Sequence, residues 1–560
     1  MKTSINSKIR KIPYNGSNSF DAVLSDFIKT MFKVNMKSEI SRYRILYVRK
    51  INSHGKKTAT KFLKALYGIG VKVSLNEDII EPIPWTISDK SGFPKCIKYM
   101  KKFLTSPNIS HRRAALTVLR QYETIYCEPD PDVTSIVTPG PGPEVWNVYR
   151  TEWQHFVRSN YKTMSPEIKD EILHMTAKNG PNGPALPRSH IDALALNADK
   201  NLKEAVFRLY SSDIIPQRDP RITRGMKKEH IFNSTLKLGD KLSHRYRGEM
   251  SHSRLQFISV GGCKTRTIAI CDFFSQDALK PLHKWAYRFL KRFETDGTYS
   301  HNRISQIVRE KTEMRVDSFC YDLTTATDRF PIWLQTEFLK EVIGEETALS
   351  WETVISKRKF TVPGSPERLE YKCGQPMGAL SSWAVFALTH HALVEFCAHL
   401  EGINPFREYV VIGDDVAIFN RKVARRYEQM LNLLEVPISK EKSVCSLAEE
   451  PNCRAEIAKR LFLNGKELSP IPTGAIHAAR KDNLLFSNLV KLCQERGVEE
   501  SFLAAPVHSL IETWYQAKRR EEVFAIIYFP SETHAPLLKE DDMLSSPWIK
   551  FPSEAVSIVY

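Results

Sequence analysis

Two adjacent carboxylates, Asp414 and Asp415, follow Gly413 between two apolar runs, Tyr409-Val410-Val411-Ile412 and Val416-Ala417-Ile418-Phe419. Neighbouring acids repel, and against an apolar wall one of them tends to hold its proton. A divalent cation removes that conflict, and Mg²⁺ accepts carboxylate oxygens while keeping positions open for phosphate oxygens. The plain alternative is a surface turn, for which Gly-Asp is a common pair. A second pair of acids brackets Asp322-Leu323-Thr324-Thr325-Ala326-Thr327-Asp328. A carboxylate at Asp322, on the end of a strand, could face the Gly-Asp-Asp turn and complete a two-metal site, in which the ions stand roughly 3.5–4 Å apart. Asp328 falls at the start of a helix, where an acid also complements the helix dipole.

Three further groups have the types for phosphate and sugar chemistry. Lys264-Thr265-Arg266 puts two cations on one face of a candidate strand, where they could clamp a triphosphate, Arg266 bidentately; an exposed, ion-paired strand face is the ordinary reading. Gly374-Gln375-Pro376-Met377-Gly378 is a loop whose glycines let backbone approach a ligand, and Ser382 just after it offers a hydroxyl. Capping the following helix would also explain that serine. Lys440 and Lys442 lie in Pro437-Ile438-Ser439-Lys440-Glu441-Lys442-Ser443. Either lysine could act as general acid toward a leaving phosphate, or simply be solvated. His390 and His391 read as packed or hydrogen-bonded core residues, not as ligands.

The elements that must position these groups are legible from periodicity and punctuation. Lys264–Ile270 alternates polar with apolar residues and reads as a strand, followed by a helix over 276–293. Residues 315–323 read as a strand ending on Asp322, and 328–343 as a helix with Pro331 near its first turn. Residues 382–400 form a largely apolar helix, and 409–419 a hairpin whose Gly413 suits the first central position of a type II′ turn. Thr138-Pro139-Gly140-Pro141-Gly142-Pro143 and Asn179-Gly180-Pro181-Asn182-Gly183-Pro184 read as loops, with a helical stretch between them at 146–161.

Composition sets the frame. Among 560 residues, 42% are hydrophobic and 26% charged, which excludes global disorder. Lys and Arg number 81 against 64 acids, so the formal charge is +17, favouring nucleic acid as partner and an anionic membrane surface second. No apolar run approaches a membrane span; the longest, such as Ala525–Phe529, are strand-sized. The ten cysteines contain no CxxC pair and do not resemble a secreted disulfide framework, which points away from a zinc ribbon and toward a reducing compartment. The first 50 residues hold eleven Lys/Arg and three acids. With Lys2, Lys8, Arg10 and Lys11 ahead of the first acid, that start suits either a mitochondrial targeting segment or a solvated basic arm touching RNA.

The order of the five groups (basic pair, acid pair, glycine loop with serine, Gly-Asp-Asp hairpin, lysine) resembles motifs F, A, B, C and D of viral RNA-directed RNA polymerases. The wording is closest to the mitoviruses. It matches through Asp322-Leu-Thr-Thr-Ala-Thr-Asp328-Arg-Phe-Pro331, Gly374-Gln-Pro-Met-Gly378-Ala-Leu-Ser-Ser-Trp383, Ala387-Leu-Thr-His-His391, Ile412-Gly-Asp-Asp415 and Ala458-Lys-Arg460 with Ser469-Pro-Ile471. Upstream, Asp272, Gln276, Leu279–His283 and Asp296-Gly-Thr298 are similar too. Arg454-Ala455-Glu456-Ile457 lacks the aromatic that usually flanks the acid there, which leaves the primer-grip equivalent unassigned.

The resemblance implies an α+β right-hand polymerase: fingers, a palm with an antiparallel sheet and the Gly-Asp-Asp hairpin, a thumb, and a helix-rich periphery. Residues 1–240 would be an N-terminal region with part of the fingers, 241–480 the fingers and palm core, and 481–560 the thumb. Asp322 and Asp414 would ligate Mg²⁺ (or Mn²⁺), with Asp415 supporting them. Asp328 and Ser382 would recognise the ribose 2′-hydroxyl, Lys264 and Arg266 the triphosphate, with Gly374 and Gly378 shaping the loop. Lys442 fits the family's general acid best. Partners would be a single-stranded RNA template, the nascent duplex and NTPs. The protein would be a monomer without a transmembrane segment, in the host mitochondrion or, alternatively, the cytoplasm. Two rivals remain: a reverse transcriptase, which shares the palm but typically has an aromatic at the Asp328 position, and a non-enzymatic RNA-packaging protein.

Overall fold

The computed structural model describes residues 20–81, 83, 86–169, 176, 178–212, 224–439, 442–479, 483–498 and 505–514. The basic arm before residue 20, Lys440 and the 525–529 run lie outside the described residues. By internal contacts the chain forms two compact units. One comprises Met1–Cys127, Gly261–Cys263 and Glu467–Tyr560; the other comprises Glu128–Val260 and Lys264–Lys466.

The first unit is helical where described. Its helix Phe20–Phe32 buries Val23, Leu24, Phe27, Ile28 and Met31, the three- and four-residue spacing of one helix face. The long helix Lys37–Ser74 breaks at Gly55, whose φ of 75° and ψ of 166° interrupt the ladder. Asn108 caps Ile109–Leu119 by accepting from the Ser110 amide. Cys127 and Cys263 are disulfide-bonded with their Cα atoms 4.8 Å apart. Cysteine spacing argued against disulfides; these two are 136 residues apart, so no local pattern could have signalled the pair.

The second unit carries the polar motifs. Its central sheet runs Val444–Ser446, Ser318–Asp322, Asp415–Ile418, Tyr409–Ile412, with every neighbour antiparallel. A second sheet pairs Ser253–Val260 with Lys264–Cys271 antiparallel and adds the short strands Phe360–Thr361 and Arg368–Leu369. The helix Ser382–Leu400 is buried on nearly every side, including His390 and His391, which explains why its sequence is apolar all round. Trp146, Trp153 and Phe156 pack around Phe396 of this helix in edge-on and tilted ring pairs. The architecture is α+β, as expected, with helices surrounding the antiparallel sheet.

Three local expectations need amendment. The helix foreseen over 328–343 is two helices, Ala326–Arg329 and Ile332–Ile343, with Pro331 at the N-cap of the second. Proline forces the preceding Phe330 into an extended conformation, ψ 116°, and so ends the first. The stretch 179–184 is not merely a loop: Asn179–Gly180 and Gly183–Pro184 pair as a minimal hairpin. The segment 146–161 is a short 3₁₀ turn, a helix over Arg150–Val157 and a π-turn over Arg158–Lys162. Among the described residues, no helix is long and apolar enough to cross a membrane.

Candidate active site

The carboxylates meet through strand register. Asp322 lies directly opposite Asp415 on neighbouring strands, and Ile412 opposes Asp415 across the hairpin, so Gly413 and Asp414 form its two-residue tip. Gly413 has φ 61° while Asp414 keeps a negative φ, as a type II′ turn requires. A Cβ on Gly413 would stand 2.9 Å from the Trp383 indole nitrogen, so both conformation and space call for glycine there. Asp414 and Asp415 feel both burial and the Asp322 charge. Desolvation, then the neighbouring Asp414 and Asp322 charges, pushes Asp415 up to about 7. Desolvation followed by the Asp322 charge raises Asp414, while Lys442 and Arg266 pull it back.

Lys442 donates from Nζ to Asp322 Oδ2 at 2.8 Å. Its segment is zipped onto the end of the Asp322 strand. The Ser439 amide donates to the Asp322 carbonyl, the Thr324 amide to that of Pro437, and Leu323 bridges Ile438. Lys264 and Arg266 are exposed on one face of their strand. Among the described residues, no group of three His, Cys, Asp or Glu side chains is already disposed to hold a metal ion.

The glycine loop joins the acid side to the basic side. Gly374 donates its amide to the Asp328 carbonyl and Gln375 to that of Thr327. A Cβ on Gly374 would collide with the Thr327 carbonyl oxygen. At the other end Met377 accepts from the Ala269 amide at 2.7 Å, and Gly378, φ 116°, leaves no room for a Cβ against the Ala269 carbonyl. Ser382 is 2% exposed and its hydroxyl donates to the Pro376 carbonyl at 2.7 Å, so it braces the loop. It does not cap the helix: Ser381 holds the N-cap position, without a side-chain cap, and accepts from the Trp351 indole. Asp328 is half-buried, which raises its pKa, and the Ser135 hydroxyl donates to its Oδ2 at 2.7 Å, which opposes that rise.

Other residues join this site that the resemblance runs through without assigning them a role in it. His390 Nδ1 lies 2.7 Å from the Gly413 carbonyl and its Nε2 2.7 Å from the Tyr427 hydroxyl. A carbonyl only accepts, so Nδ1 carries the proton and Nε2 receives the tyrosine's. Burial holds the ring neutral, with its pKa lowered to about 4. His391 lies between Asp296 and Tyr409, and Asp296 bridges to Val411 on the hairpin. The histidines are therefore hydrogen-bonded core residues, as read, but they hold the hairpin. Lys459 is the third: Ala458 and Lys459 both take left-handed φ, 49° and 61°, between the paired residues Ile457 and Arg460, and the Lys459 charge acts on Asp415. Asn-Gly would mark such a turn in sequence, and Ala-Lys does not.

An RNA-directed RNA polymerase of Cryphonectria parasitica mitovirus 1 is 29% identical over 337 residues, 59% of this chain and 40% of that protein, so the chain spans less than half of that relative's length. Two uncharacterized mitochondrial proteins of Arabidopsis thaliana are 33% and 35% identical over 196 and 164 residues, which is 33% and 28% of this chain and 76% and 77% of theirs. Among solved structures, the RNA-dependent RNA polymerase of a human picobirnavirus covers 75% of this chain and 94% of its own at 12% identity and a TM-score of 0.40. The BmCPV polymerase at elongation state covers 76% and 39% at 11% identity, also with a TM-score of 0.40. The family description "Mitovirus RNA-dependent RNA polymerase" matches residues 165–523, well over half of the sequence and every carboxylate of the hairpin site. The chain belongs to the mitovirus RNA-dependent RNA polymerase family.

Proposed function

We propose that this chain is an RNA-directed RNA polymerase that copies a small positive-strand viral RNA genome, joining NTPs to a growing 3′-end with release of pyrophosphate. The observation that carries the reading is the placement of Asp322 opposite Asp415 at the Gly-Asp-Asp turn, with Lys442 bonded to Asp322. Asp322 and Asp414 would hold Mg²⁺, or Mn²⁺, with Asp415 in support. Hard carboxylate oxygens suit that ion, and Mg²⁺ usually takes only one or two protein carboxylates and fills the rest with water and phosphate. When bound, the ions supply two-metal chemistry, activating the 3′-hydroxyl and neutralising the leaving pyrophosphate. Lys264 and Arg266 hold the triphosphate. Asp328 and Ser382 recognise the ribose 2′-hydroxyl, Ser382 as an acceptor while its own proton is given to the Pro376 carbonyl, and Gly374 and Gly378 keep the intervening loop in place. Lys442, once freed from its bond to Asp322, would give its proton to the leaving pyrophosphate.

Residues 1–240 serve as an N-terminal region with part of the fingers, 241–480 as fingers and palm, and 481–560 as thumb. The partners are single-stranded template RNA and the nascent duplex, gripped through their backbones, and the protein acts as a monomer. The mitochondrion is the compartment; the mitovirus and plant mitochondrial relatives support it. UGA codons among the nine tryptophans of the gene would bear this out.

The test is a single-incorporation assay on a defined template, with and without primer. Wild type incorporates NTPs, and Asp414→Ala abolishes incorporation while leaving RNA binding intact. Comparable use of dNTPs favours a reverse transcriptase. RNA binding without incorporation in either Mg²⁺ or Mn²⁺ favours a packaging protein.

A further inference from the structure

The Pro/Gly-rich stretch at 138–143 and the turn before it are built onto the back of the Asp328 helix, although they precede it by almost two hundred residues. Arg329 donates from Nη1 to the Thr138 carbonyl at 2.7 Å and to that of Pro139 at 3.2 Å. The Trp333 indole donates to the Pro141 carbonyl at 2.9 Å, and the Lys372 amide to that of Ile136 at 2.9 Å. Gly140 lies so close to Cys373 that a Cβ there would collide with the sulfur. Prolines suit this strap because they leave their carbonyls free to accept while having no amide of their own to satisfy. Ile136, 1% exposed, pins the turn, and Asp132 caps it by accepting from the Thr134 amide. The side chain so held in place is Ser135, whose hydroxyl donates to Asp328 Oδ2.

We propose that Ser135 is a specificity-determining positioning residue: its hydroxyl occupies one oxygen of Asp328 and turns the other toward the 2′-hydroxyl of an incoming ribonucleoside triphosphate. A carboxylate free to rotate about its last torsion spends much of its time misdirected; a fixed donor on Oδ2 removes that freedom. The bond also favours the ionised form, the better acceptor for a sugar hydroxyl, in a half-buried place where burial works the other way. The Gly374 amide bonded to the Asp328 carbonyl, and Arg329 bonded to the strap, fix the Asp328 helix in place. The inference rests on the reading that Asp328 recognises the ribose.

The experiment measures kcat/KM for one NTP and its 2′-deoxy analogue on the same template, using the full chain. Ser135→Ala should cut the ratio of the two by roughly tenfold, because only the ribonucleotide loses an oriented hydrogen bond. Ser135→Thr, which keeps the hydroxyl, should restore it. An unchanged ratio in Ser135→Ala, or an equal fall for both nucleotides, overturns the proposal. Asp328→Ala separates the two levels of the argument. If it collapses the ratio and Ser135→Ala does not, only the role of Ser135 is lost. If it leaves the ratio intact, the reading of Asp328 is wrong and this inference goes with it. Should Ser135→Ala prove insoluble, Ser135→Cys, a weaker donor, decides: an intermediate ratio supports the proposal and a wild-type ratio refutes it.

Discussion

His390 Nδ1 stands 2.7 Å from the carbonyl oxygen of Gly413, so a buried neutral imidazole holds the backbone of the turn that presents Asp414. The ring is fixed at its other nitrogen by Tyr427, and it arises from the helix that Ser382 begins. The glycine loop and the hairpin are thereby referenced to one rigid element.

That relationship predicts a separation between two substitutions. His390→Phe fills the space and removes the donor, and should lower kcat by about 10- to 100-fold with RNA affinity unchanged, the cost of losing alignment at a reacting centre. His390→Asn keeps a donor near the Nδ1 position and should recover most of that rate. Equal loss in both variants would mean that volume, not the hydrogen bond, is what matters.

On the proposed reading of Asp322 as a metal ligand, Lys442 would compete with the cation for it, because the ammonium sits 2.8 Å from Oδ2. Lys442→Met should therefore lower kcat but also lower the Mg²⁺ concentration that gives half-maximal rate. A Mg²⁺ titration of the two proteins checks this, and a requirement that rises or stays fixed counts against competition. Chelation with EDTA should stop incorporation in both while template binding persists.

The turn Ala458-Lys459 keeps two side chains in the left-handed region, which costs roughly 1–2 kcal/mol for each. Replacing the pair by Asn-Gly should raise stability in urea unfolding by about 1–2 kcal/mol. The same protein should be slower, because the Lys459 charge beside Asp415 is gone. Stability gained with undiminished rate would show that Lys459 has no part in the site.

His252 predicts a pH dependence of stability. Burial first, then the Arg358 guanidinium, depresses its pKa to about 4, with Asp272 and Asp199 pulling upward and Arg368 downward. The unfolded chain, with histidine near its usual 6.5, then binds the proton more readily than the folded one. The His252 contribution to stability should fall as pH drops from 6.5 toward 4, by up to about 3 kcal/mol. His252→Gln should flatten that slope in urea unfolding measured between pH 7 and 5. An unaltered slope would assign the acid sensitivity elsewhere.

Much of the site was readable before any coordinates. Alternation and apolar runs are local properties, so the strand Lys264–Cys271, the helix Ser382–Leu400 and the Gly413 hairpin follow from residues a few positions apart. Pro331 carried enough local information to break the Asp328 helix from the next, although the periodicity read straight through it. The motif order showed which acids belong together, and strand register then placed Asp322 opposite Asp415.

What only the tertiary structure decided are the bonds between distant segments. Nothing near Ser135 indicates that its hydroxyl meets Asp328, 193 positions later, and nothing in the cysteine spacing pairs Cys127 with Cys263. The same holds for the tautomer of His390 and for the inward turn of Ser382, each set by a carbonyl that the folded backbone brings within reach. A hydroxyl or an imidazole has many possible partners, and its sequence neighbours do not choose among them. Packing does, because a buried polar group must bond to whatever the fold places beside it.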